Sequence, residues 1–260
     1  MTKVKDIVDY LLNLYPLYLA SNFDEGKVGL QFGSQNHVVK KVMIALDGTN
    51  EVIDEAILND IDLIILHHPF MFSPMISLNY DNPLQKKYLK VIQNNLNVFA
   101  MHTNFDVAKN GMNEVLLQML GVKTILNESE EVKKDCFLRY GKINRISLAS
   151  LIDNVKNTFH LSCVRYVGNL DQMVDTIGIV GGSGGSELYL AKRLGCDAFI
   201  TGEIKHNQAN DALDLGVALI EVPHAIEGFF KQFVLENLAK AFPDVQFIAS
   251  SKDTNPFKVK

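Results

Sequence analysis

Short runs of β-branched residues alternate with amphipathic segments in two separate stretches of this 260-residue chain. This alternation is typical of parallel strands joined by helical crossovers. In the first stretch the pattern predicts strands at 41–47, 62–66 and 97–101 and helices at 50–60, 85–95 and 112–120. In the second stretch it predicts strands at 176–180, 197–201 and 218–222 and helices at 186–195, 207–216 and 228–242. The chain is therefore predicted to form two α/β lobes. The lobes share the order of strands and helices, but their residues do not match one for one.

The lobes are predicted to divide at a charged stretch with poor periodicity. Residues 1–126 are assigned to the first lobe together with the C-terminal helix and strand at 225–260, and residues 127–224 to the second. The hinge is predicted at 127–135, where charged residues cluster and no apolar repeat continues.

Composition excludes several classes of protein. With 47% hydrophobic and 21% charged residues, the chain has enough apolar side chains for a compact core. The opening residues predict an amphipathic helix and not a signal peptide, and no apolar run approaches the roughly 20 residues that cross a bilayer. The net charge of -5 and the lack of a basic patch argue against nucleic-acid binding. Three widely separated cysteines are expected to be reduced thiols, so a cytoplasmic location is expected.

Histidines are concentrated where predicted strands finish. Five of the seven, at positions 67, 68, 102, 206 and 224, follow strand ends. Ligands of parallel α/β sheets bind at this carboxyl edge, where loops diverge and helices begin. A binding site is therefore expected there.

The pair His67-His68 precedes Pro69, which restrains His68 to an extended geometry. Consecutive side chains of an extended segment point to opposite sides, so each imidazole is expected to serve a different metal ion. This favours a dinuclear site. The alternative is a polar loop after a buried strand.

Two further segments supply imidazole and carboxylate groups. Asp106 lies close to the end of a predicted strand, and His224 and Glu227 are spaced to share one face of a starting helix, where a carboxylate can bridge two ions. Asp106 is alternatively a helix-entry residue, and His224 with Glu227 an exposed surface pair. As a set with His67 and His68, these side chains suit two divalent ions of Zn, Fe, Mn, Co or Ni.

Other polar residues near strand ends are candidates for supporting roles. Glu203, His206 and His102 are candidates for orienting ligands or moving protons, and Lys205 accompanies them. The alternative for Glu203 and Lys205 is a surface ion pair. Gly181, Gly182, Ser183 and Gly184 form a glycine-rich strand-to-helix turn that is a candidate for binding an anion or phosphate. The alternative is a tight turn that needs glycine for its backbone conformation. A P-loop motif is absent from the sequence.

Several segments in order resemble the Nif-three-like family, whose members are also called GTP cyclohydrolase 1 type 2 homologues. They are LIILHHPFMF, FAMHTNFDVAKNGMNEVLLQMLG, GIVGGSGGS, FITGEIKH and EVPHAIEGFF. The resemblance covers nearly the whole chain, in the compact form without an inserted domain. It implies that His68 and Asp106 hold one ion, that His67 and His224 hold the other, and that Glu227 bridges both, in the cleft between the lobes. It also implies a toroidal homohexamer.

The leading hypothesis for function is a metal-dependent hydrolase that acts on a nucleotide or another phosphorylated small molecule. The resemblance suggests hydrolytic opening of the purine ring of GTP. The rival hypothesis is a metal-binding protein that delivers an ion to a partner and catalyses nothing. A third hypothesis is an adaptor, for which the sequence offers no binding motif. Fold and site alone do not determine a substrate.

Overall fold

The computed structural model describes residues 1–126 and 134–258 of the chain. The described helices are α1 (Val4–Leu14), α2 (Asn50–Leu58), α3 (Lys86–Gln93), α4 (Thr103–Val107), α5 (Met112–Met119), α6 (Leu148–Thr158), α7 (Leu188–Arg193), α8 (His206–Leu215) and α9 (Phe230–Ala241). The described strands are β1 (Gly29–Phe32), β2 (Lys41–Ala45), β3 (Leu63–Leu66), β4 (Asn97–Ala100), β5 (Ile125–Leu126), β6 (Arg139–Ser147), β7 (Arg165–Val167), β8 (Met173–Ser183), β9 (Ala198–Gly202), β10 (Ala218–Glu221) and β11 (Gln246–Ala249). The predicted strands and crossover helices of both stretches are confirmed.

The chain forms two compact units, which are called unit 1 (residues 1–105 and 228–260) and unit 2 (residues 106–227). These boundaries differ from the predicted divisions after residues 126 and 224. The first difference has a clear cause, because α5 packs against β6 and β8 and so belongs with the second sheet. The predicted hinge at 127–135 lies outside the described residues except for its last two positions.

Unit 1 is built on a sheet in which the described strands have the order β1-β4-β3-β2-β11. Strands β11, β2, β3 and β4 run parallel, and β1 adds antiparallel to β4. The crossover helix α2 begins after Thr49, whose side chain accepts a hydrogen bond from the Val52 amide. Its buried residues Val52 and Ile53 join the core that covers this sheet. The carboxyl ends of β3 and β4 are thereby held side by side.

Unit 2 is built on a mixed sheet, with the described order β5-β6-β8-β9-β10-β7. Its parallel centre of β8, β9 and β10 matches the predicted repeat. The antiparallel strands β6 and β7, and the helix α6 between them, lie in a segment for which the sequence predicted no elements. Strand β6 is mostly half-buried or exposed, so its sequence lacks the continuous apolar run of the central strands.

The glycine-rich segment begins as strand and not as a turn. Strand β8 extends through Ser183, which pairs with Gly202 of β9. A short 3-10 helix at Gly185–Glu187 follows, and α7 begins only at Leu188. The prediction that a strand-to-helix turn begins at Gly181 is therefore wrong, because β8 continues through an irregularity after Ile179 and pairs with β9 again at Ser183. Within the described part of the chain, no helix has the length and apolar character needed to cross a membrane.

Candidate metal centre

His67 and His68 follow directly after β3 ends at Leu66. Their amides still bond to the carbonyls of Ala45 and Leu46, so the backbone stays fixed to the sheet edge. The two rings nevertheless lie close together, with centroids 4.9 Å apart. The prediction that they point to opposite sides of an extended segment is wrong, because both residues lie in a bend beyond the strand, where strict alternation ends.

Three imidazoles of unit 1 each contact an oxygen atom through Nδ1. The partner of His67 is the carbonyl of Met101 at 3.0 Å, that of His68 is Oδ1 of Asp47 at 2.6 Å, and that of His102 is Oδ2 of Asp24 at 2.8 Å. Carbonyl and carboxylate oxygens only accept hydrogen bonds, so each Nδ1 carries the proton. In the neutral ring the lone pair is then on Nε2, as in histidines that bind metals.

Asp24 anchors His102 from a fully buried position. Its Oδ2 accepts hydrogen bonds from His102, from the Thr103 amide and from the Thr103 hydroxyl at 2.5 Å. Burial alone would raise the pKa of Asp24, but the bonds from His102 and Thr103 outweigh burial and leave the pKa lowered. Asp24 therefore stays ionised at neutral pH and holds the His102 ring in place.

In unit 2, His224 lies between two carboxylates. Its Nδ1 is 2.7 Å from Oε1 of Glu203, and its Nε2 is 3.0 Å from Oε2 of Glu227. A neutral imidazole has only one N–H and cannot donate to both carboxylates. A metal ion bound by both Nε2 and the Glu227 carboxylate would satisfy both groups.

The backbone conformation of Glu203 is unusual. It has a φ of +55°, a left-handed backbone conformation that is uncommon outside glycine. The hydrogen bond from His224 lowers the pKa of Glu203, and Ser183 adds to this effect, while burial and the Glu227 charge oppose it. Glu203 is thus a carboxylate at neutral pH. Glu203 contacts His224, and its role in orienting a ligand stays a prediction.

The buried carboxylate of Glu227 packs against the glycines that end β8. A β-carbon at Gly181 would lie 2.9 Å from Oε1 of Glu227, and one at Gly182 would lie 2.7 Å from the same atom. Any larger residue would have to displace the carboxylate. The glycine pair therefore leaves space for an acidic side chain next to the backbone, which gives these glycines a function other than turning the chain.

Asp106 is nine-tenths buried and is held by its backbone. The side-chain amide of Asn113 donates to the Asp106 carbonyl at 3.3 Å and accepts from the Gly181 amide at 2.7 Å. The Arg139 guanidinium donates to the neighbouring carbonyl of Val107. Asn113 therefore ties the segment that carries Asp106 to the strand end that supports Glu227.

Other predicted residues lie apart from these contacts. His206 is the exposed first residue of α8, where it lines a cavity of about 230 Å³ with Arg165, Tyr166 and Glu221, and Lys205 precedes it. The amides of Gly181 and Gly184 donate to the side chains of Asn113 and Thr201. These two amides are thus already used within the protein. Anion binding by this segment, Gly181, Gly182, Ser183 and Gly184, stays a prediction. It now depends on the amides of Gly182 and Ser183.

Asp47 and Asp24, the carboxylates that contact His68 and His102, are difficult to identify from the sequence. Asp47 follows β2 as the histidines follow their strands, and the same strand-end rule would have found it. Asp24 lies in a short 3-10 helix, Asn22–Asp24, that is remote in sequence from His102. Only the fold brings these two residues together.

The model of the Duf34/NIF3 (NGG1p interacting factor 3) family matches residues 2–256. The chain belongs to this family. A relative from Clostridium acetobutylicum is 31% identical, over 99% of each chain, and one from Lactococcus lactis is 33% identical, over 98% of each; both are named GTP cyclohydrolase 1 type 2 homolog. A relative with this name from Listeria innocua aligns at 26% identity over 344 positions, more than this chain has residues, in agreement with a compact form. In that alignment 89% of this chain and 92% of the relative are covered.

Solved structures of similar proteins share the fold. A Bacillus cereus protein related to NIF3 superimposes with a TM-score of 0.91 at 25% identity, with 100% of this chain and 99% of that one covered. A Staphylococcus aureus hypothetical protein gives 0.92 at 29% identity, with 99% of each chain covered. Like these two proteins, this chain is a mixed α/β protein with two sheets. Its histidine, aspartate and glutamate groups could hold a metal ion.

Proposed function

We propose that this family member is a metal-dependent hydrolase with a dinuclear metal centre. In the proposed centre His67, His68, Asp106, His224 and Glu227 would hold the two ions. The observation that carries the proposal is the shared tautomer of the histidines, each of which has Nδ1 on an oxygen atom. Mixed imidazole and carboxylate donors suit Zn, Fe, Mn, Co or Ni and are less suited to a closed structural zinc site.

Divalent ions bound by such donors lower the pKa of water and polarise oxygen atoms of a substrate. The protein's part is to keep the donors oriented. Glu203 fixes the His224 ring through Nδ1, and Asp47 does the same for His68. Glu203 is more than half exposed at its side chain, so it also has access to solvent for accepting or returning a proton.

The proposed substrates are GTP and other nucleotide-like or phosphorylated small molecules. Support comes from the shared name of the relatives, which refers to GTP cyclohydrolase. In that reaction hydrolysis opens the purine ring. Because folds of this kind host many chemistries, the substrate has to be identified by turnover.

The experiment is reconstitution of metal-free protein with Mn, Fe, Zn or Co in separate samples, followed by measurement of GTP consumption and a screen of phosphorylated metabolites. Turnover that requires metal is expected. His68→Ala should abolish it. The matched control is His37→Ala, because His37 is a half-buried histidine whose side chain has one described contact, to Asp62 at 3.8 Å.

The outcomes separate the two main hypotheses. Turnover that is lost in His68→Ala and kept in His37→Ala supports a hydrolase. If the protein binds metal tightly, releases it to an acceptor and consumes no substrate in the screen, the hydrolase proposal is wrong and metal delivery replaces it.

We also propose that the chain assembles into a homo-oligomer, with the toroidal hexamer as the expected form. Support comes from a loop between β3 and α3 that exposes large apolar side chains, which are Phe72, Ile76, Leu78, Tyr80 and Leu84. Exposed apolar clusters of this kind are typical of protein interfaces. Light scattering on the purified protein should give about six times the monomer mass of 29.1 kDa. Ile76→Asp should reduce the mass, whereas Leu58→Asp on the exposed face of α2 should leave it unchanged.

A further inference from the structure

The cavity of about 230 Å³ in unit 2 is lined by none of the candidate metal ligands. It lies where α8 packs against the sheet edge formed by β10 and β7. Strand β7 pairs antiparallel with β10, so that Arg165 lies opposite Glu221 and Val167 lies opposite Leu219. Side chains at every second position of paired strands share one face of a sheet. These four side chains therefore lie together on the face of the sheet that α8 covers.

The floor of the cavity is apolar. Leu219 is buried, and Val167, Ile204 and Ala209 are half-buried around it. An apolar cavity of about 150 Å³ holds a benzene molecule, whereas sites for drug-sized ligands typically measure about 300–1,000 Å³. The cavity of about 230 Å³ therefore fits one substituted ring or a branched chain of similar size, and it is too small for a whole nucleotide.

At the rim of the cavity, the carboxylate of Glu221 is already bonded within the protein. Its Oε1 accepts a hydrogen bond from the Ile204 amide at 2.9 Å, and its Oε2 contacts both Nε and Nη2 of Arg165. A guanidinium carries five N–H groups, so contacts at two of them leave three for another acceptor. Because the Arg165 side chain is 79% exposed, these groups are accessible from solvent.

His206 adds a second donor at the rim. It is the exposed first residue of α8, and its ring has no hydrogen-bond partner among the residues that the structure describes. Arginine binds carboxylate and phosphate groups through parallel N–H groups, and an imidazole N–H also donates to such groups. Free donors beside an apolar floor match a ligand with an anionic head and an apolar body.

We propose that this cavity binds a small organic anion. Its carboxylate or phosphate group contacts Arg165 and His206, and its apolar part lies on Leu219 and Ala209. Glu221 is a positioning residue, since it holds the guanidinium at the rim. An amino acid does not fit, because its ammonium group needs a free acceptor and both oxygens of Glu221 are bonded. The site goes beyond the proposed function, since it uses no metal ligand and requires no catalysis.

The test is a fluorine NMR titration of the full-length protein with two anionic probes, 4-fluorobenzoate and 4-fluorophenyl phosphate. The neutral control is 4-fluorobenzamide, which has the same ring and no charge. At least one anion should bind saturably and about tenfold or more tightly than the amide, because hydrogen bonds to charged groups are stronger than neutral ones. The anion that binds more tightly identifies the head group. Treatment with a chelator should leave this binding unchanged.

Two variants test the head and the floor of the cavity separately. Arg165→Met should weaken binding of the anions by about tenfold or more, whereas Arg145→Met, at an exposed position of β6, should leave it unchanged. Ala209→Leu fills the floor and should abolish binding, whereas Ala241→Leu, at the exposed end of α9, should not. Circular dichroism of each variant should match that of the wild type.

Several results would overturn the inference. These are the absence of saturable binding by both anions, equal affinity for the anions and the amide, and binding that Arg165→Met leaves unchanged. Inorganic phosphate that binds as tightly as the ring-bearing anions would show that the apolar floor contributes nothing. Loss of binding after chelator treatment would assign the probes to a metal ion instead. None of these results bears on the proposed hydrolase, which is tested by metal content and turnover.

Discussion

A β-carbon on Gly182 would lie 2.7 Å from Oε1 of Glu227, closer than non-bonded atoms approach. Gly182 also has a φ of +62°, which other residues rarely adopt. The end of β8 therefore accommodates the Glu227 carboxylate only because it lacks side chains there. This relationship makes Gly182 part of the candidate metal centre although it contributes no ligand.

Gly182→Ala is predicted to displace Glu227 and weaken metal binding. The matched control is Gly216→Ala, since Gly216 has a φ of +68° and a β-carbon added there would meet no atom within 4 Å. Backbone strain should lower the free energy of unfolding by about 1–2 kcal/mol in both variants. Only Gly182→Ala should lower the metal content, measured by elemental analysis after dialysis. Equal metal content in the two variants would contradict the role assigned to the glycine.

Glu203→Ala is predicted to weaken metal binding by about 10-fold to 100-fold, because it removes the carboxylate that orients His224 through Nδ1. Glu203→Gln should recover part of the affinity, since its amide oxygen still accepts the same hydrogen bond. Glu236→Ala serves as the control, because Glu236 is an exposed residue of α9. Competition with a chromophoric chelator measures all three. An unchanged affinity in Glu203→Ala would mean that His224 does not depend on this contact.

Arg139→Met is predicted to destabilise the protein by about 3–5 kcal/mol, because it leaves the buried carboxylate of Glu114 without its ionic partner. Arg165→Met is the control: this arginine also pairs with a glutamate, Glu221, but is 79% exposed at its side chain, so a loss of at most about 1 kcal/mol is expected. Denaturant titration of both variants measures the free energy of unfolding. Similar losses would show that burial does not decide the strength of these pairs.

The three cysteines are predicted to differ in reactivity toward a thiol reagent at about pH 8. Burial raises the pKa of the Cys196 thiol to about 12, so almost no thiolate is present at that pH. Cys163 is exposed and should be labelled first. Mass spectrometry of native and denatured samples measures the modified positions. Rapid labelling of Cys196 in the native protein would contradict its buried position in the fold.

The strand and helix pattern of the two lobes could be predicted because it depends on local periodicity. The central strands β3 and β4 are buried at every position, and such strands produce continuous apolar runs in the sequence. Strand β6 was missed for the opposite reason, since its polar and half-buried residues resemble a loop. The placement of α5 in unit 2 was also missed, because helix periodicity does not say which sheet a helix covers.

The candidate ligands could be predicted from their positions after strands, because chain topology places strand ends at one edge of a sheet. The hydrogen bonds that hold this region together could not be predicted in this way. Asp24 reaches His102 across 78 positions, and Asn113 reaches Gly181 across 68. Such contacts depend on tertiary packing and leave no local pattern. The orientation of His67 and His68 was mispredicted because strand alternation was extended past the last residue of β3.

The central claim is that imidazoles and carboxylates of this chain hold a pair of divalent ions. Anomalous diffraction from crystals of zinc-loaded protein at the zinc absorption edge tests it most directly. Two peaks about 3.5–4 Å apart are predicted, within about 2.0–2.2 Å of nitrogen or oxygen atoms of His67, His68, Asp106, His224 and Glu227. Zinc that binds only at other residues, or no peak beside these side chains, would contradict the claim.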